Sequence, residues 1–368
     1  MIVGIDGINL DQIGGAQIDA AEIIKIVQKK NHEIRVFSNR QFNKKKMFEL
    51  YGIKDVEVIP LNPKLNVSLN SLLLRLSLKK NPVDCFIKCN WLIPPKSVPY
   101  FNFALYPHNV FLYEKFSSQI FSSHSKRILY WTLQIIQERL LDVSGKNSLC
   151  NIAQSIFVKK LFWLLYKVNY KVIYPPVYQE DLYISKKEPN SIIAIGRISK
   201  EKRYDIIIRL AKKYPEYNFK IIGGFNYSRN DFLILKEIMA NTKKLKNLRV
   251  NINLSRKKLV ELLSKSQFLI HLMPYEHFGM VIAEALACGT TPIVHQKGGP
   301  IELVKKSQYG SIFHNYQELI NNFDQFLIPK SPRELKLRAQ EFSSENFRKY
   351  ISKHIYEFLD LISDKMAS

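Results

Sequence analysis

The chain has 368 residues, 46% of them hydrophobic and 24% charged, a globular composition long enough for two sizeable cores. Its formal net charge of +23 and pI near 9.7 point to nucleic acid, an anionic membrane or a phosphorylated small molecule as partner. The excess divides as about +12 in residues 1–176 and about +11 in the rest, which argues against a dedicated nucleic-acid arm.

The first elements form a repeating unit. "MIVGID" is an apolar run ending in Gly and Asp, a buried first strand. "GGAQIDAAEIIKIVQKK" follows with helical periodicity, Ile18, Ala21, Ile24 and Val27 stepping along one face, and "HEIRVFS" is again a strand. Strand, glycine turn, helix and strand open a doubly wound parallel sheet. "VEVIPL", "VDCFIKC" and "PYFNFALYP" are predicted strands, and Val110 to Leu141 is an aromatic stretch with few helix breakers. "SLCNIAQSIFVKKLFWLLY" and "YKVIYPPV" add a strand, a helix and a strand ending at Pro175-Pro176.

That proline pair and the polar segment after it mark a domain boundary, so the first domain spans 1–176. The pattern then restarts over 177–342. Strands are predicted at "IIAIGR", "NFKIIGG", "LRVNINL", "FLIHLMP" and "TPIVH". Helices are predicted at "YDIIIRLAKKY", "FLILKEIMANTKKL", "RKKLVELLSKS" and after Phe278. Residues 343–368 form a last helix capped by Ser343 or Ser344, expected to pack back on the first domain. No signal-peptide pattern opens the chain and no run approaches 18 uncharged apolar residues, so a cytoplasmic protein is expected. The four cysteines, Cys85, Cys89, Cys150 and Cys288, have no metal-type pairing and read as reduced thiols.

Chemistry concentrates at strand ends. Gly14 and Gly15 lie between the first strand and first helix, where a backbone can approach a phosphate; a plain tight turn fits equally well. Gly196 ends a strand, Arg197 follows at once and Lys202 comes five residues later. Two cations on one strand-end loop suit a departing diphosphate, although solvated surface cations are the bland alternative. Glu276 and Glu284 are eight residues apart, about 800° of helix, which returns the second acid to within roughly 80° of the first. If Glu276 sits just before the helix, both acids can face one ligand at different heights. An ionised carboxylate accepts two hydrogen bonds from a vicinal diol and so suits a sugar, although a helix N-terminus favours an acid in any protein.

In this order along the chain, the residues resemble glycosyltransferase family 4, the retaining nucleotide-sugar enzymes with the GT-B fold. The resemblance rests on "GGAQIDAAEIIKIVQKKNHEIRVFS", on "CNIAQSIFVKKL" with "KVIYPPV", on "AIGRISKEKRYDIIIRLA" and on "EHFGMVIAEALACGTTPIVHQKGGPIELV". It implies an α/β architecture of two Rossmann-like parallel-sheet domains facing across a cleft, the first taking the acceptor and the second the donor. It also implies that Arg197 and Lys202 hold the donor diphosphate and that Glu276 meets hydroxyls of the transferred sugar. Gly196 would border the phosphate loop, backbone N–H groups at Phe278, Gly279, Met280 and Val281 would line the sugar and phosphates, and Glu284 would bind the ribose. Gly14 and Gly15 would approach the diphosphate from the first domain.

Two departures stand out. Ala153-Gln154-Ser155 replaces the family's usual Asn-Ser, and strict register puts Leu105 where a functional His is common, with His108 three residues on. No D-x-D occurs, so a metal is not expected at the diphosphate, no cofactor is expected, and the leaving phosphate would itself deprotonate the acceptor. The expected partners are a GDP- or UDP-linked sugar and a glycan or lipid-linked acceptor, with the resemblance nearest to mannosyltransferases acting on lipid-linked oligosaccharides. "NKKKMF", "LLLRLSLKK" and "KRILYWTLQIIQERLL" alternate cations with apolar bulk, as a peripheral contact with the inner face of an anionic membrane would need; ordinary buried helices with solvated rims read the same way. Two other classes stay open, a catalytically silent nucleotide-sugar-binding subunit and a basic nucleic-acid-binding protein, although no nucleic-acid module is recognisable.

Overall fold

A computed structural model of the chain describes residues 1–7, 9–12, 14–62, 67–90, 92–107, 142–225 and 229–368. His108 and the stretch expected to be helical from Val110 to Leu141 lie outside the described residues. The chain divides into two compact units, one of Met1–Pro176 with Phe347–Ser368, the other of Val177–Asn346. Each is an α/β unit built on a parallel sheet.

In the first unit the strands are β1 (Ile2–Asp6), β2 (Glu33–Ser38), β3 (Glu57–Pro60), β4 (Cys85–Lys88), β5 (Tyr100–Ala104), β6 (Cys150–Ala153) and β7 (Lys171–Val172). They lie in the order β3-β2-β1-β4-β5-β6-β7, every pair parallel. The helices are α1 (Gly15–Gln28), α2 (Lys44–Tyr51), α3 (Val67–Lys80) and α4 (Ile156–Tyr166). Alternation along the strands sends Val3, Ile5, Val36, Ile87, Phe101 and Phe103 into one apolar layer and Phe37, Phe86 and Tyr100 into another.

The buried face of α1 is wider than a single helical stripe. Ala20, Ala21, Ile23, Ile24, Ile26 and Val27 are all buried, and so are Asp19 and Glu22. The cause is a second cover: the C-terminal helix Ser344–Ala367 contributes Phe347, Ile351, Ile355, Phe358, Leu359 and Ile362 to the same core. Buried Glu22 is held by Lys25 at 2.8 Å and by Arg348 of that helix at 2.6 Å. The last helix starts where Ser343 Oγ accepts from the Asn346 N–H at 3.2 Å, an N-cap bond.

The second unit contains β8 (Glu188–Arg197), β9 (Asn218–Gly224), β10 (Leu248–Ile252), β11 (Ser266–His271), β12 (Thr291–His295) and β13 (Ser311–Phe313), in the order β10-β9-β8-β11-β12-β13. Its helices are α5 (Tyr204–Lys213), α6 (Arg229–Thr242), α7 (Arg256–Lys265), α8 (Met280–Ala287), α9 (Pro300–Leu303), α10 (Tyr316–Asn321) and α11 (Pro332–Ala339). Everything from α9 to α11, β13 included, goes beyond the elements expected from the sequence. These pieces are short, so hydrophobic periodicity barely marks them, and their caps are the better signal: Asn315 accepts from the Glu318 N–H and Ser331 from the Glu334 N–H.

Lys187 fastens the base of this unit. Its amine donates to Ser264 O at 2.7 Å, Cys288 O at 2.8 Å and Thr290 Oγ1 at 2.9 Å, which satisfies carbonyls where α7 and α8 end. Burial lowers its pKa to about 8. Chain order along the sheet reverses between β8 and β11, so the loops leaving these two strands splay apart at their carboxyl ends, the usual place for a ligand in an open parallel sheet.

Candidate functional site

The loops after β8 and β11 carry most of the residues singled out in the sequence. Gly196 and Arg197 are the last residues of β8, and Lys202 closes the 3-10 turn Lys200–Lys202. A Cβ on Gly196 would lie 3.2 Å from Lys202 Cδ and 3.3 Å from the Tyr204 hydroxyl, so the missing side chain lets the lysine fold across the strand end. Among the described residues that buried hydroxyl has no hydrogen-bond partner. Arg197 turns outward, two-thirds exposed at 67%, and meets Glu201 at 3.3 Å. Arg197 and Lys202 thus differ in exposure and in the acid each one meets.

Lys202 reaches Glu276. Its Nζ donates to Glu276 Oε2 at 2.9 Å and to Met273 Sδ at 3.4 Å, with the pair only 16% and 20% exposed. His271, at the end of β11, brings Nε2 to 3.3 Å from the same oxygen. Glu276 Oε1 accepts from the His277 N–H at 3.3 Å. Burial works to push the Glu276 carboxyl up, but Lys202 and His271 outweigh it and hold it well below the usual carboxylate range. Burial lowers the imidazoles of His271 and His277, the second to about 4, so both are neutral around pH 7. The cluster is a fixed carboxylate with one dominant cation beside it. An ammonium has three N–H donors, so Lys202 keeps one beyond these two bonds.

The backbone that presents Glu276 is tightly determined. Tyr275 takes φ +59, left-handed for a residue with a side chain, and Gly279 caps α8 at φ +104. Glu276 forms an isolated parallel bridge with Gly298, the Tyr275 N–H donates to Lys297 O at 2.9 Å and the Gly299 N–H to Glu276 O at 2.8 Å. The two glycines after β12 are thus needed where the loops cross. The first helical residues, Met280 and Val281, follow Phe278 and Gly279, so N–H groups without intrahelical partners stand at the start of α8. Phe278 itself is buried and packs edge-on against Phe342 at 5.5 Å.

Glu284 lies one turn into α8 and has its own cation. Arg256, the first residue of α7, donates from Nη1 to Glu284 Oε1 at 2.5 Å. Its Nε and Nη2 donate to Asp181 Oδ2 at 2.7 Å and Oδ1 at 3.2 Å. Burial raises the Glu284 carboxyl and Arg256 opposes that rise. Arg256, Asp181 and His271 were not singled out in the sequence. Their contacts cross 75, 28 and 5 residues, and only the position of Arg256 just after a strand-end loop hinted at one of them.

The first-unit candidates are placed as follows. Gly14 caps α1 with an extended backbone, φ −177 and ψ 163, and its carbonyl accepts from the Ile18 N–H at 3.0 Å. Gly15 is the first residue of that helix. Leu105 is buried and its carbonyl accepts from Gln154 Nε2 at 2.7 Å, so the residue that departs from the family pattern at 154 closes onto the strand end at 105.

Residues 181–342 match the family described as "Glycosyl transferases group 1". A probable sucrose-phosphate synthase from Thermosipho melanesiensis is 25% identical over 203 residues, 54% of this chain and 45% of that protein. A GDP-Man:Man(3)GlcNAc(2)-PP-Dol alpha-1,2-mannosyltransferase from Candida albicans is 28% identical over 149 residues, 35% of this chain and 24% of that one. The chain thus matches less than half the length of these relatives. Among solved structures, Anabaena HepE in complex with UDP and glucose superposes with a TM-score of 0.68 at 17% identity, covering 96% of this chain and 99% of the other. This likeness is one of fold and bears out the two parallel-sheet α/β domains of the GT-B class.

Proposed function

Because residues 181–342 match the Glycosyl transferases group 1 family, we propose that the protein moves a hexose from a nucleotide-diphosphate sugar to a glycan or lipid-linked acceptor, with retention at the anomeric carbon. What supports this reading most is the pair of acids eight residues apart, each fixed by its own cation at the start of α8. Glu276 takes hydroxyls of the transferred sugar and Glu284 takes the ribose diol. Lys202 and Arg197 stabilise the charge that builds on the diphosphate as the bond from the anomeric carbon to the phosphate oxygen breaks. The acceptor oxygen bonds to the same face of that carbon, and its proton passes to the departing phosphate oxygen. No protein base is required in this scheme, and no metal. Gly14, Gly15 and His108 belong to the reading through the family resemblance alone.

The acceptor is the less determined half. The mannosyltransferases named above act on a Dol-linked oligosaccharide by their names, and a lipid-linked acceptor would bring the chain to a membrane surface. On α4, Ile156, Trp163 and Leu164 are exposed large apolar residues, with Lys160 on the same stripe, Lys167 just past the helix end with Nζ 5.9 Å from the Trp163 ring centroid, and no acid in the helix. No helix among the described residues is long and apolar enough to cross a membrane. Peripheral attachment through such a stripe fits the basic charge.

A thermal-shift panel of UDP-, GDP- and ADP-sugars tests the donor side, followed by donor hydrolysis and transfer with the best of them. Stabilisation by one donor and turnover that survives EDTA are expected, and the anomeric proton coupling of the product reports retention. Binding without hydrolysis or transfer to any glycan would favour a catalytically silent subunit. No stabilisation by any nucleotide sugar would overturn the reading.

A further inference from the structure

The proposed ribose carboxylate is a burdened group: burial raises its pKa, and an ionised form is needed to accept both hydrogen bonds of a vicinal diol. Glu284 Oε1 is already taken by Arg256, while among the described residues Oε2 has no hydrogen-bond partner, and the side chain is 19% exposed. Arg256 is itself clamped. Asp181 receives two of its guanidinium bonds from the far side, so the fork cannot swing without breaking both. Three elements converge here: the segment ahead of β8, the first residue of α7, and α8. Ser255 fixes the start of α7 by accepting from the Lys258 N–H, which sets where Arg256 leaves the backbone.

We propose that Arg256, braced by Asp181, is a positioning residue that occupies one oxygen of Glu284, aims the other at the nucleotide ribose, and keeps the carboxylate ionised. The inference rests on the ribose assignment to Glu284 made above. It adds a residue pair on which recognition of a ribonucleotide over its deoxy analogue depends. Among the described residues, the charged and titratable groups acting on Glu284 are Arg256 from α7, Asp181 from the segment before β8, and the buried Cys288 just beyond its own helix. Arg256 is the one cation among them, and Asp181 works against ionisation. Without the guanidinium, burial and Asp181 act unopposed and the Glu284 carboxyl rises further.

The test compares UDP and GDP with their 2′,3′-dideoxy forms by isothermal titration, using the wild type and the folded variants Arg256→Gln, Arg256→Lys and Asp181→Asn. The ratio of dideoxy to ribo dissociation constants isolates the diol and cancels the titration of the nucleotide phosphates. In the wild type the ribose preference should change less with pH than in the variants that lack the guanidinium. In Arg256→Gln it should weaken as pH falls and recover as pH rises, by up to about tenfold per pH unit for a single proton. Arg256→Lys should restore part of it, and Asp181→Asn should show a smaller loss of the same sign. If Arg256→Gln fails to fold, the lysine and Asp181 variants carry the comparison. A ribose preference unchanged in Arg256→Gln at every pH would overturn the inference and leave Glu284 as the ribose ligand. So would equal weakening of the dideoxy nucleotide, which would put Arg256 on another part of the ligand, or a loss that does not recover with pH. A wild type without ribose preference would instead overturn the underlying assignment.

Discussion

Gly298 shows how finely one residue sets this site. Its φ is +116, and an added Cβ would lie 2.7 Å from Glu276 O and 2.9 Å from Glu276 N, both backbone atoms that cannot step aside alone. Gly298→Ala should therefore cost at least about 1–3 kcal/mol of stability, the scale of a strained backbone, and displace Glu276 with it. Denaturant unfolding beside donor titration checks both effects, and a variant within about 0.5 kcal/mol of wild type would contradict the tight loop crossing. Asp19 gives a second, pH-dependent case. It is buried in α1, its Oδ1 has no hydrogen-bond partner among the described residues, and burial lifts its carboxyl well above the usual range. An acid whose folded pKa is raised adds stability below its unfolded pKa, near 3.8, and loses it as pH climbs through the folded value. Asp19→Asn escapes that loss, so its advantage over wild type should widen above about pH 4, by up to about 1.4 kcal/mol per pH unit. Melting curves across that range decide it, and a constant or shrinking difference would show that Asp19 is compensated. At this scale the sequence was legible where chemistry is local. Glu276 and Glu284 stand in one segment with their glycines, whereas Asp181, Arg256 and His271 become neighbours of the acids only through folding. The pairing of Lys202 with Glu276, 74 residues away, was equally invisible.

The elements divide by how each earns its place. Strands such as β1, β4 and β11 are continuous apolar runs because both faces of a parallel sheet are covered, and that pattern is plain in the order of residues alone. The helices α9 to α11 are only four, six and eight residues long, too short for periodicity to mark them, and side-chain caps open only α10 and α11. The C-terminal helix is the opposite case, strongly periodic and far from its partners in sequence. Its Phe358 stacks obliquely on Phe101 at 5.9 Å and its Phe347 meets Phe103 edge-on at 5.7 Å, inside the core of the first unit. Phe358→Ala should cost about 3–5 kcal/mol and Ile351→Ala about 2–5 kcal/mol, the range for emptying well-packed core positions. Leu361→Ala, on the exposed side of the same helix, should stay within about 0.5 kcal/mol. Equal losses at all three positions would mean that the helix matters through its own propensity rather than through this packing.

For the molecule as a whole, the charge of +23 is the property the two folded units do not consume. With 55 Lys and Arg against 32 Asp and Glu, the acids cannot pair every cation, and the excess charge acts over distance. On the peripheral-attachment reading proposed above, such a surface would bind an anionic bilayer with about 1 kcal/mol for each basic side chain near the headgroups, and the attraction would fade with ionic strength. Charge alone would make binding indifferent to which face turns to the lipid. The stripe on α4 breaks that indifference, because Trp163 and Leu164 are 54% and 55% exposed and can enter the interface beside Lys160 and Lys167. The expected outcome is co-sedimentation with anionic vesicles and little with neutral ones. Raising salt from about 0.1 M to about 1 M, which shortens the Debye length from about 10 Å to about 3 Å, should release most of the protein. The double variant Trp163→Ser, Leu164→Ser should bind anionic vesicles less without altering donor binding, since those residues belong to the first unit and the donor motifs to the second. Equal binding to neutral and anionic vesicles would rule out the electrostatic account. Full binding by the double variant would remove α4 from the contact while leaving the charge, and absence of binding to either vesicle would direct the search for the acceptor to soluble glycans.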